Sequence, residues 1–97
     1  MRQRIPSPSQ PQSPTSPEEI FGRIVRQRRM ELGLKQIDLE FEHHMDRSYI
    51  SKIELGKRQI CLRGILHLVL ILQLDINEVI ATIFNEIGNT PEHLWPE

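Results

Sequence analysis

The chain has 97 residues, a formal net charge of −1 and an apolar content of 38%. That length builds one small domain, which excludes a two-domain enzyme, a dinucleotide-binding unit or a barrel. A single cysteine, Cys61, excludes an internal disulfide and a cysteine-based metal centre.

Residues 1–17 hold five prolines, Pro6, Pro8, Pro11, Pro14 and Pro17, with only Met1 and Ile5 as apolar side chains. Proline fixes φ and donates no hydrogen bond, so this segment reads as a disordered Pro/Ser-rich tail. From Ile20 the pattern turns helical. Pro17, Glu18 and Glu19 suit a helix start. Ile20, Ile24, Arg28 and Leu32 then recur on one face, and Gly33 marks the end. A second helix is predicted over 36–43. A third is predicted over 47–55, with Asp46 as its N-cap and Gly56 after it. A fourth covers 62–72. A fifth covers 77–87, with Asp75 as cap and Val79, Ile80, Ile83, Phe84 and Ile87 as its apolar stripe. Residues 89–97 read as an irregular tail, leaving 18–88 as the folded unit.

Polar sequence follows Met1 where a signal peptide would be apolar, and the longest apolar stretch, 65–72, is interrupted by His67. It is far short of the ~20 residues of a membrane span. The expectation is a soluble cytoplasmic protein without a membrane partner.

Charge is segregated. Residues 47–63 carry five bases against one acid, whereas 64–97 carry five acids and no base. Residues 37–46 carry four acids, Asp38, Glu40, Glu42 and Asp46, and no base. Such asymmetry suits one face for an anionic partner and another for a different contact.

Beyond these patterns, Leu34-Lys35-Gln36, Leu39 and the run from Asp46 through Arg47-Ser48-Tyr49-Ile50-Ser51-Lys52-Ile53-Glu54-Leu55-Gly56-Lys57-Arg58 resemble a known motif. It is the helix-turn-helix core of the Cro/phage-repressor (XRE-type) family of DNA-binding regulators. The run YISKIELGKR is the most specific part, and it is also similar to the controller proteins of restriction–modification systems within that family. The resemblance spans about residues 20–80. It implies an all-α fold, a five-helix lambda-repressor-like DNA-binding domain whose third helix enters the major groove.

If Arg47 begins that helix, Arg47, Ser48, Ser51 and Lys52 share its exposed face, while Ile50 and Ile53 face the core. Arg47 suits a bidentate contact to guanine. By resemblance, Ser48, Tyr49 and Lys52 touch bases or nearby phosphates. Gln36 binds phosphate at a helix N-terminus, Lys57 and Arg58 hold phosphates from the loop, and Arg29 and Glu54 form a partly buried ion pair. The sequence departs from the family in three places. Glu40 stands where a small residue is usual at the close crossing of helices two and three, His43-His44 replace alanine-glycine before the turn, and the four acids of residues 37–46 lie near the presumed DNA face; an exposed Phe41 is unusual as well.

No phosphate-binding loop, nucleophile elbow or carboxylate pair is present, so neither an enzyme nor a cofactor is expected. Adjacent His43 and His44 would point ~100° apart on a helix, so no metal site is expected either. The function implied is a transcriptional regulator binding double-stranded DNA at a pseudo-palindromic operator as a homodimer through helices four and five. The alternative is an antitoxin-like or adaptor interaction module on the same fold. Net acidity, Glu40 and the surplus apolar residues of helices four and five favour it, whereas the nearly all-apolar helix four, with Leu70 expected outermost, is what points to the homodimer.

Overall fold

The structure, a computed structural model, describes residues 16–42 and 45–88. Most of the expected disordered tail, the segment 89–97 and the His43-His44 pair lie outside the described residues.

Ser16 opens the first helix. Its hydroxyl accepts from the Glu19 amide at 3.0 Å while the Glu19 carboxylate accepts from the Ser16 amide at 3.1 Å, a reciprocal capping box. Pro17 takes the first helical position of α1 (Pro17–Glu31), where a missing amide costs nothing. At its end Gly33 turns left-handed (φ 72) and the Leu34 amide closes back on the Arg29 carbonyl at 3.0 Å. α2 (Arg47–Glu54) ends in the same way at Gly56 (φ 74). α3 (Leu62–Ile71) ends at Gln73, which takes a left-handed φ of 56 without being glycine. α4 (Ile76–Ile87) is capped by Asp75, whose side chain accepts from the Asn77 amide at 2.8 Å, and it stops at Gly88.

The fold is all-helical, but with four α-helices where five were expected. The predicted second helix is a single 3-10 turn, Gln36–Leu39. Glu40 is already extended (ψ 148), Phe41 pairs with Met45 through an amide-to-carbonyl bond of 3.0 Å, and Glu42 is left-handed (φ 62). The physical reason lies in the run Ile37-Asp38-Leu39-Glu40-Phe41-Glu42. Its apolar and acidic residues alternate with period two, and a helix would set Asp38 against Glu42 at the repulsive i,i+4 spacing. The turn instead buries Leu39 completely and leaves Phe41 half-buried on the ring of His67, with centroids 4.4 Å apart. Phe41 is therefore not the exposed side chain that the sequence suggested. The Leu39 carbonyl, left without a helical partner, takes a hydrogen bond from His67 Nε2 at 3.1 Å.

The core is formed by Val25, Leu39, Met45, Ile50, Ile53, Leu68 and Leu72, with Phe21 and Val79 at its edge. α1 packs against both α2 and α4. Gly22 makes the first of these contacts possible, because a Cβ there would lie 2.2 Å from the Ile53 carbonyl oxygen. Polar ties reinforce the packing. Arg28 Nε donates to the Leu72 carbonyl at 2.9 Å, covering the C-terminal end of α3, and Arg23 pairs with Glu86 across α1 and α4. The expected Arg29–Glu54 pair is present and bidentate, at 2.6 and 3.1 Å, with the Glu54 side chain only 2% exposed. These bonds hold the Arg29 pKa above its ordinary value, outweighing the desolvation that lowers it.

Two stability predictions follow from this packing. Gly22→Ala gains up to ~1 kcal/mol of helix propensity but forces α1 off α2, for a net loss of about 2 kcal/mol and a Tm lower by roughly 10 °C. Arg29→Ala strands the buried Glu54 carboxylate and costs about 3–5 kcal/mol. Thermal melts followed by circular dichroism check both, and an unchanged Tm in either variant contradicts the contact it removes.

Candidate nucleic-acid interface

α2 is held at its first turn by two carboxylates. Asp46 accepts from the Tyr49 amide at 2.9 Å, the N-cap read from the sequence. Glu40 Oε2 accepts from the Arg47 amide at 2.8 Å. Ile50, Ile53 and Glu54 turn inward, so the opposite face of the helix is left to solvent. Arg47, Ser48 and Lys52 are exposed there, and Ser51 is half-buried.

Six of the eight expected site residues come together. Gln36, Arg47, Ser48, Ser51, Lys52 and Lys57 line one shallow concavity with Leu55. Arg47 and Gln36 also line an adjoining hollow with Arg29, Leu34, Lys35, Ile37 and Glu40. Gln36 starts the 3-10 turn, and its amide donates to Glu54 Oε1 at 3.1 Å, so the buried ion pair fixes it as well. The other two residues lie apart. The Tyr49 hydroxyl donates to the Gln59 carbonyl at 2.7 Å, and Arg58 stacks over the Tyr49 ring at 5.0 Å. Arg58 also borders an apolar groove of about 370 Å³ on another side of the molecule, lined by Phe21, Ile60, Ile65, Ile76, Ile80 and Ile83.

Sequence reasoning missed two contributors. Glu40 was read only as a departure where helices two and three cross, yet it caps α2. His67 was read only as an interruption of the apolar stretch 65–72, yet it supports the turn that carries Gln36. The alternation around Leu39 was the available signal for both, because it takes Glu40 out of a helix and leaves a carbonyl for His67. Among the described residues, no group of three His, Cys, Asp or Glu side chains is placed to hold a metal ion. Nor is any single helix there long and apolar enough to cross a membrane.

The helix-turn-helix family profile matches residues 25–60. Among solved structures, the restriction-modification controller protein C.AhdI from Aeromonas hydrophila is 35% identical, with a TM-score of 0.56, over 64% of this chain and 90% of that one. The wild-type controller protein C.Esp1396I, 23% identical over 76% of this chain and 96% of that one, has a TM-score of 0.59 and shares the fold. A tyrosine-to-phenylalanine mutant of the same protein, 22% identical over 74% of this chain and 91% of that one, gives 0.60. No curated protein matches the sequence. A chain that carries the helix-turn-helix profile and aligns with nearly all of one controller protein at 35% identity shares their descent: it belongs to the Cro/phage-repressor (XRE-type) helix-turn-helix family of DNA-binding regulators.

Proposed function

We propose that the protein is a sequence-specific transcriptional regulator, with residues 18–88 as its DNA-binding unit and α2 entering the major groove. The observation that carries this reading is the single concavity shared by Gln36, Arg47, Ser48, Ser51, Lys52 and Lys57, on the face of α2 opposite its buried side. Arg47, at the first turn, reads a guanine through O6 and N7. Ser48, Ser51 and Lys52 meet neighbouring base edges and phosphates. The Gln36 amide has a second hydrogen to offer a phosphate while the first stays on Glu54. Lys57 holds phosphate from the loop, and Tyr49 steadies Arg58 for the same task. The likeness to C.AhdI favours control of restriction–modification genes, with the cytoplasm as the place of action.

We also infer a homodimer on a pseudo-palindromic operator. Leu62, Leu66 and Leu70 lie uncovered along α3, with Leu70 78% exposed, and Ile76 and Ile80 lie uncovered on α4. Large apolar side chains exposed in this number on two successive helices are an ordinary signature of a protein–protein contact. A second copy covers them and sets two recognition helices about one DNA turn apart.

Fluorescence anisotropy on operator and unrelated duplexes tests the first reading. Arg47→Ala should weaken operator binding by about tenfold or more and leave non-specific binding nearly intact. Lys57→Ala should weaken both alike and reduce the salt slope by about 1. Equal effects of the two substitutions on every sequence contradict base reading by Arg47. Wild type that binds no duplex at low salt points instead to the interaction module. Sedimentation tests the dimer. Ile80→Asp, on the surface and away from the core, should give a folded monomer at concentrations where wild type is dimeric, and a monomeric wild type at high concentration excludes the dimer.

A further inference from the structure

Glu40 belongs to a different element from the helix it caps. It reaches across seven positions to bind the Arg47 amide through Oε2 at 2.8 Å. It also lines the hollow that holds Gln36, Ile37 and Arg47. No ion pair joins it to a cation among the described residues. The capping bond engages one oxygen. A carboxylate has about four acceptor positions, so Oε1 stays open in the hollow that adjoins the proposed DNA surface.

A carboxylate there is an acceptor without a donor, and phosphates repel it. The major groove offers it only two complements, the exocyclic amines of cytosine and adenine. Adenine sets its N7 acceptor beside the amine, which a carboxylate opposes, whereas cytosine presents the amine alone. Any other base leaves a desolvated charge without a partner, which penalises that sequence. We propose that Glu40 is a specificity-determining residue that accepts a hydrogen bond from a cytosine amino group, beside the guanine read by Arg47. The shared hydrogen bond of Glu40 to the Arg47 backbone ties the two readers to neighbouring positions. This assignment rests on the DNA-binding reading above.

The test is selection from a pool of randomised duplexes with the full chain as wild type, Glu40→Gln and Glu40→Ala, followed by sequencing. Gln keeps an oxygen for the Arg47 amide, so the helix cap survives in that variant. Wild type should enrich cytosine at one position of each half-site. Glu40→Gln should shift that position alone towards adenine, which an amide reads through N6 and N7. Glu40→Ala should lose about tenfold discrimination there and keep the remaining preferences. Identical preferences at every position in all three proteins overturn the assignment, as does a uniform gain in affinity with no change in preference, which would make Glu40 a charge barrier only. Enrichment of no sequence by wild type overturns the DNA-binding reading and this assignment together. If Glu40→Ala fails to fold, the Glu40→Gln profile decides.

Discussion

The surface offered by α2 depends on one buried carboxylate. Glu54 receives two bonds from Arg29 and one from Gln36, so a single side chain on α2 fixes both α1 and the start of the 3-10 turn. Arg29 extends the network by donating to the Leu34 carbonyl at 3.0 Å, which sets the loop between them. An ion pair so deeply placed loses much of its Coulomb attraction to desolvation. Its value lies in geometry, because an apolar replacement would fill the space without fixing the angle of Gln36 to α2. Gly22 supplies the complementary condition, a backbone approach close enough for Arg29 to reach Glu54.

The second constraint acts on the turn. A 3-10 turn in place of a full helix leaves backbone groups that must be satisfied elsewhere. The Leu39 carbonyl is satisfied from α3 by His67, and the Arg47 amide from the extended segment by Glu40. Phe41 on the His67 ring covers the junction. Glu40, Phe41 and His67 thus form a consistent local solution, in which each side chain completes a hydrogen bond or a contact opened by another.

Charge and apolar surface divide the molecule between two tasks. The bases Arg47, Lys52, Lys57 and Arg58 lie on α2 or just past its end, while α4 carries Glu78 and Glu86 and both α3 and α4 expose large apolar side chains. In the proposed DNA complex, electrostatic attraction to phosphate would orient the first region towards nucleic acid and turn the second away from it. In the proposed dimer, apolar burial against a second copy would use the second region, where no phosphate contact competes.

The sequence by itself determined the helical class, the helix ends at Gly33, Gly56 and Gly88, the caps at Asp46 and Asp75, the face of α2 that is buried and the Arg29–Glu54 pair. The pair was implied by the family resemblance, and the others follow from local periodicity and backbone sterics, which the linear chain carries in full. Tertiary structure decided the rest. Whether 36–43 formed a helix turned on what lay opposite Leu39 and Phe41, and His67 is 28 positions from Leu39 in the chain. Gly22 was necessary only because the Ile53 carbonyl comes to rest against it. Tyr49 and Arg58 left the concavity because the Gln59 carbonyl folded within reach of the Tyr49 hydroxyl. Each depends on where a distant backbone group comes to lie, which local pattern does not encode.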